Sequence, residues 1–397
     1  MWWRSKKRKE KPNWQERMGN IDISARKDGK RIWLHAVSVG EVVASMPILK
    51  EVRAQLPDHE IVLSVTTSSG HQTAREKAEG LFDHLIYMPI DVARLQLSAM
   101  QRVRPSVVAI METELWFNFL WAAKVFDAKT LLINGRISDR SFPRSKKLAF
   151  FYRSLLKNMD RCLMQTEVDA ERIRALGGQN VEVFGNAKFD QAIEGLNADR
   201  SLLASEFGLT ADRLTIVVGS TRDEFEERYV VDELKPLMDR VRVIHAPRHL
   251  ERAVPLGRYV TDAIGRAGLR SKGEKSDYLI LDTYGELSQV YSVADIAIIG
   301  GGFSKLGGQN LIQPLAHGIP VIHGPHMQNF RDAAESASHA GATLVASQPG
   351  ELTSALTLLI NDKTLRDRMG AAAKGLIQRS LGASVRYAGA ISEAARD

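Results

Sequence analysis

The 397-residue chain has one cysteine, Cys162. That scarcity excludes a disulfide framework and a cysteine-built zinc site, and it fits a reducing compartment. The chain has no run of about 18 uncharged apolar residues, so no segment reads as a membrane-spanning helix. Its start lacks the apolar core of a secretory signal. Low complexity is missing too: with 44% hydrophobic and 25% charged residues the composition excludes disorder and collagen-like repeats. The length suits two domains, each able to bury its own core.

Charge is present but unevenly placed. The net charge is +7, yet residues 1–11 (MWWRSKKRKEK) sum to +5 and leave only +2 for the remaining 386. A nucleic-acid groove spreads basic residues over a folded face, so the near-neutral body argues against nucleic acid as a partner. Trp2 and Trp3 beside Arg4, Lys6, Lys7, Arg8, Lys9 and Lys11 suit an anionic membrane surface. Residues 1–17 are therefore expected to form a basic arm with membrane-surface contact, although a plain solvated tail has the same composition.

Short apolar runs alternate with helical stretches. Strands are expected at 31–37, 60–66, 84–88, 106–111, 129–133, 161–164 and 181–184, and again at 214–218, 241–245, 278–281, 295–299 and 319–322. Continuous Val, Ile and Leu runs separated by helices mean parallel strands buried on both faces. The expected class is α/β, with two Rossmann-like doubly wound domains facing each other across a cleft. Their expected bounds are 18–200 and 201–375, with a C-terminal helix at 376–397 crossing back toward the first domain. Ligands in such sheets bind beyond the carboxyl ends of the strands, so the chemistry should lie in the loops that follow them.

Ser38 and Glu41 have the S-x-x-E spacing of a helix capping box; the same carboxylate could instead take a proton from an attacking hydroxyl. Glu112 and Glu114 form a second acidic pair. Arg136 and Arg140 are candidates for a phosphate or carboxylate. Ser220, Thr221 and Arg248, then Gly300–Gly302 and Gly307, Gly308, Gln309 and Asn310, offer anion-binding backbone at strand ends. Gly308 and Gln309 stand where a Walker loop requires Lys and Ser/Thr, and no strand–GxGxxG–helix unit opens the chain. His323 and His326 flank Gly324-Pro325 and read as loop hydrogen bonding rather than metal ligands.

Together the segments HAVSVGEVVAS (35–45), TTSSG (66–70), METELWFN (111–118), NGRISDRS (134–141), FGNAKFD (184–190), GSTRDEFEE (219–227), APRH (246–249), DTYGEL (282–287), GGGFSKLGGQNLIQP (300–314) and HGPHMQNF (323–330) resemble the Kdo transferases of lipopolysaccharide synthesis, glycosyltransferase family 30. The resemblance implies a GT-B enzyme with no cofactor and no obligatory metal. It would move Kdo from CMP-Kdo, with inversion, to a phosphorylated, acylated glucosamine disaccharide (lipid IVA) at the cytoplasmic face of a bacterial inner membrane. The protein would be peripheral there, or anchored by an N-terminal segment absent from this chain.

The resemblance also implies roles. Glu41 would be the general base and Glu114 a second essential carboxylate. Lys188, Ser220, Thr221, Arg248, Tyr284, Gly285, Glu286, Gly307, Gly308, Asn310 and Gln313 would bind the donor. Ser38, Gly40, Arg136 and Arg140 would meet the acceptor. Gln313 replaces a Glu usual in the family, Gln309 and Arg222 each replace a His, and Phe117 replaces a Pro. The Gln313 change keeps a second reading open, another GT-B enzyme with a different nucleotide sugar, such as an epimerase.

Overall fold

The structure is a computed structural model describing residues 13–24, 31–113, 115–138, 141–193, 196 and 198–396. The basic run 1–11, Glu114 and Arg140 lie outside the described residues. The chain divides into two compact units, 1–190 with 380–397, and 191–379.

Each unit is built on a seven-stranded sheet, and every strand pair is parallel. In the first unit the strands are β1 (Arg31–Ala36), β2 (Glu60–Val65), β3 (His84–Tyr87), β4 (Val107–Met111), β5 (Lys129–Gly135), β6 (Arg161–Met164) and β7 (Val181–Val183), in the order β3-β2-β1-β4-β5-β6-β7. In the second they are β8 (Leu214–Thr221), β9 (Val241–Pro247), β10 (Gly268–Leu269), β11 (Tyr278–Ile280), β12 (Ile296–Ile299), β13 (Val321–His323) and β14 (Thr343–Val345), in the order β10-β11-β9-β8-β12-β13-β14. All six residues of β1 and all five of β4 are buried, as expected of strands covered by helices on both faces.

β10 and β14 were not expected. They have two and three residues, and neither forms an apolar run. β5 and β8 run past their expected ends because each passes through a left-handed residue, Asn134 (φ +50°) and Ser220 (φ +61°), where the register with the neighbouring strand shifts. The strand expected at 319–322 begins at Val321, since Pro320 has no N–H to donate to a ladder.

The change of unit falls at Asp190, earlier than residue 200, and the helical C-terminus is broken. Lys363–Ser380 and Ala383–Ala394 are separate helices with left-handed Gly382 (φ +76°) between them. Asp190 closes the first unit on itself. Its carboxylate accepts the N–H groups of Gly382 (2.7 Å) and Ser384 (2.6 Å), capping the last helix from a distant part of the chain. Buried Tyr387 on that helix donates to the carbonyl of Gly185 at 2.7 Å. Replacing Asp190 with Ala should lower the unfolding free energy by about 1–2 kcal/mol, the usual effect of losing a helix cap. Urea denaturation followed by circular dichroism measures it; an unchanged midpoint would show that the cap contributes nothing.

Candidate active site

In both sheets the strand order reverses between two neighbouring strands, β1 and β4 in the first unit and β8 and β12 in the second. In open α/β sheets the loops diverge at such a reversal, and ligands bind there, beyond the carboxyl ends of the strands. The sequence motifs converge on these two places.

In the first unit the loop after β1 leads into the helix Val39–Gln55. Ser38 is its N-cap residue, but its hydroxyl accepts no helix N–H; it donates instead to Oε1 of Glu41 at 3.1 Å. Oε2 of Glu41 accepts the Val37 N–H at 2.8 Å. The expected capping box is thus rewired, and two donors orient the Glu41 carboxylate. The carbonyl of Val37 accepts the N–H groups of Thr66 (3.3 Å) and Thr67 (3.2 Å), joining this loop to the one after β2. Thr67 caps the next helix by accepting from Gly70. Ser38 is half-buried and Gly40 exposed, so the helix start is open to a ligand.

Across the reversal, after β4, Glu112 is left-handed (φ +56°) and its carboxylate meets Lys188 Nζ at 3.2 Å. Lys188 is only 14% exposed, so the lysine expected to meet the donor pairs with a carboxylate of its own unit. Asn134 fixes the segment carrying Lys188: its Oδ1 accepts the Ala187 N–H at 3.1 Å. Arg136, half-buried, is held at its base by Asp169, which accepts the Ile137 N–H at 2.8 Å. Burial raises the Asp169 carboxyl above its ordinary range, against the Thr166 and Ile137 hydrogen bonds and the charges of Arg136 and Arg172.

In the second unit, neighbouring strands β11, β9, β8 and β12 deliver the donor candidates side by side. Ser220 is the bulged, left-handed residue at the end of β8. Thr221 is different: the whole residue is buried and its hydroxyl bonds His245 Nε2 at 2.9 Å, so its side chain turns inward and away from the surface of the loop. Its carbonyl accepts the Arg248 N–H at 2.8 Å and leaves the Arg248 side chain exposed. His245 Nδ1 continues inward to the Tyr278 hydroxyl at 2.8 Å. After β11, Tyr284 is 81% exposed and Gly285 is left-handed (φ +84°). Burial opposes the charge of Glu286, but hydrogen bonds from Arg270 and Thr283 outweigh it and hold its carboxyl below the usual range.

The glycine loop after β12 is required by close approach. A Cβ on Gly300 would stand 2.6 Å from the Thr221 Cα, and one on Gly308 (φ +75°) 2.4 Å from Met327 Sδ. Gly307 is left-handed (φ +91°), with its carbonyl accepting the Asn329 N–H at 2.8 Å. Asn310, one residue ahead of the N-cap of the short helix Ile312–Ala316, accepts the Ile312 N–H at 2.9 Å, and half-buried Gln313 lies in the first turn of that helix. His323 Nδ1 bonds the Gly324 carbonyl at 2.7 Å. Among the described residues no group of three or more His, Cys, Asp or Glu is placed to hold a metal.

Residues 12–191 match the family described as 3-deoxy-D-manno-octulosonic-acid transferase (kdotransferase). The chain is 32% identical over 382 residues to the 3-deoxy-D-manno-octulosonic acid transferase of Bordetella pertussis, covering 91% of this chain and 87% of that protein. The chain belongs to the Kdo transferase family. It is also 32% identical over 351 residues to a bifunctional glycosyltransferase/methyltransferase of Fusobacterium nucleatum, of whose length it spans about half (54%). The MurG structure of Acinetobacter baumannii, 13% identical, superposes with a TM-score of 0.63 over 92% of this chain and 99% of that one, which shows a GT-B fold.

Sequence reasoning had noted Glu112 only as the acidic neighbour of Glu114, without its lysine partner, and had missed Asp169, Glu226 and His245. Two of these had a visible signal, since Thr166–Asp169 and Asp223–Glu226 repeat the spacing noted at Ser38–Glu41. Burial lowers His35 to about 4 and His245 to about 3. Both are neutral in the folded protein and charge more readily when unfolded, near the ordinary value of ~6.5. Their contribution is therefore complete above that value and is lost as pH falls toward the folded pKa values, by up to about 1.4 kcal/mol per pH unit for each. Denaturant unfolding at pH 7, 6 and 5 should show this fall, and His245→Gln should reduce its slope.

Proposed function

We propose that this Kdo transferase family member moves Kdo from CMP-Kdo to a hydroxyl of a phosphorylated, acylated glucosamine disaccharide, lipid IVA, with inversion and with Glu41 as general base. The observation that carries the reading is the Glu41 carboxylate, oriented by Val37 and Ser38 at the β1/β4 reversal beside an open helix start. The acceptor oxygen attacks C2 of Kdo, the bond from C2 to the CMP phosphate oxygen breaks, and CMP leaves with the electron pair. The acceptor proton passes to Glu41. Exposed Arg248, the Ser220 bulge and the glycine loop supply cation and backbone dipoles for the departing charge, and Tyr284 offers an aromatic surface for the base. Arg136 and Gly40 are assigned to acceptor phosphate. Glu114 and Arg140, outside the described residues, keep the roles the resemblance implies.

An anionic membrane surface as partner is supported by a connected apolar row in the first unit. Exposed Trp14 and Met18 lead to Ile90 and Val92 through the Ile90 N–H bond to Arg17 O (2.9 Å). Asp91 caps the helix Phe117–Val125 by accepting the Phe119 N–H at 2.9 Å; that helix exposes Trp121 and Val125. Phe117 stacks on Phe151 with centroids 6.2 Å apart, next to Leu148 and Phe150, the latter 77% exposed. Residues 141–157 add Arg144, Lys146, Lys147, Arg153 and Lys157, all exposed, and contain no Asp or Glu. Aromatic side chains among unopposed cations fit the headgroup region of an anionic bilayer.

Glu41→Gln should abolish transfer, read by mass spectrometry of product from CMP-Kdo and lipid IVA, while CMP still binds; undiminished transfer would overturn the base assignment. A larger thermal shift with UDP or UDP-GlcNAc than with CMP or CMP-Kdo would favour the epimerase-like reading. Replacing Phe150 and Phe151 with Glu should weaken sedimentation with anionic vesicles at least about tenfold, whereas equal binding would remove this row as the membrane contact.

A further inference from the structure

Glu226 lies on the helix Glu224–Leu234, which follows β8, and its carboxylate is completely buried. It collects three main-chain donors from two different loops. Oε2 accepts the N–H of Arg222 (3.0 Å), in the loop after β8, and of Gly301 (2.7 Å), in the glycine loop after β12. Oε1 accepts the N–H of Phe303 at 3.1 Å, further along that glycine loop. Burial raises its carboxyl above the ordinary value, against these three bonds, and the nearby charge of Asp223 acts in the same direction as burial. A buried carboxylate is expensive unless its lone pairs are used, and here the partners are loop amides.

The position has a counterpart in the first unit. Glu41 and Glu226 each stand third in the helix after the first strand of their sheet, and each accepts the N–H four residues earlier, Val37 and Arg222. They differ in the second oxygen. That of Glu41 takes the Ser38 hydroxyl in its own loop, whereas Glu226 reaches across the β8/β12 reversal. The two loops it joins carry the Ser220 bulge and the Gly300–Gly308 segment.

We propose that Glu226 is a positioning residue of the nucleotide-sugar site: its carboxylate ties the loop after β8 to the glycine loop after β12 and sets the spacing between the donor-binding groups that each carries. The proposal rests on the functional reading above. Glu226 does not touch the reacting atoms, and its effect passes through the backbone at Arg222, Gly301 and Phe303. A glutamine keeps one acceptor oxygen and turns an NH2 group toward a loop N–H. With its oxygen in place of Oε2 it loses Phe303, and with its oxygen in place of Oε1 it loses Arg222 and Gly301. In either orientation the glycine loop loses one of its two bonds while the side chain still fills its space. Other contacts on these loops remain, including Arg222 Nη1 to the Leu306 carbonyl (3.3 Å) and Gly308 N–H to the Gly301 carbonyl (2.8 Å).

The test compares wild type, Glu226→Gln and Glu233→Gln in the full chain. Glu233, at the far end of the same helix, accepts from Gly350 and Thr353 and serves as the stability control. Glu226→Gln should raise the CMP Kd and the CMP-Kdo KM at least about tenfold, with kcat and acceptor KM within about threefold. It should also speed hydrogen exchange at Gly301 or Phe303, whichever amide faces the NH2 group. Glu233→Gln should lower Tm and leave the donor KM at the wild-type value. Wild-type donor KM and slow exchange in Glu226→Gln would overturn the proposal, as would equal donor KM losses in both variants. A wild type that binds uridine nucleotides but not CMP would overturn the donor reading, whereas faster exchange with unaltered nucleotide affinity would overturn only the positioning role.

Discussion

Parallel strands buried on both faces release the chain into loops whose N–H groups have left the ladder and need new partners, and here carboxylates near the starts of the following helices supply them. Glu41, Asp169 and Glu226 each stand third in a helix and reach back to a loop amide, that of Val37, Ile137 and Arg222 respectively. A backbone N–H without a partner in such a place costs more than an ordinary hydrogen bond contributes. The carboxylates therefore shape the strand-end loops, and those loops are what a ligand meets.

The same device serves different ends according to what surrounds it. Glu226 is sealed in by the glycine loop and engages both of its oxygens with main-chain amides. Glu41 is bonded within its own loop at the start of an open helix, with exposed Gly40 beside it. Both carboxylates are buried, and they differ in what donates to the second oxygen: a hydroxyl of the same loop for Glu41, an amide from across the strand-order reversal for Glu226. Local spacing is alike in the two places, so the difference comes from the neighbouring loop.

Much of the fold was legible in the residues. Val107–Met111 and Ile296–Ile299 are short apolar runs because doubly covered strands have no solvent face to mark with polar residues. β10 and β14 escaped notice because edge strands of two and three residues bury too little to leave such a run. The family motifs pointed to loops that do lie at the carboxyl ends of adjacent strands. They did not show that the Thr221 hydroxyl turns inward to His245, nor that Lys188 pairs with Glu112, because both contacts join residues far apart in the chain.

By itself the sequence determined the α/β class, the parallel strands, the family and the loops that carry its motifs, since periodicity, strand burial and motif order are written along the chain. Only the tertiary structure decided which side chains those loops present and which they spend on holding one another. The strand order brings β8 beside β12, and Asn134 at the end of β5 holds the segment that carries Lys188, so the partners of Glu226 and Glu112 come from elsewhere in the chain. A hydrogen bond reports distance in space, and the spacing of residues along a sequence does not contain it.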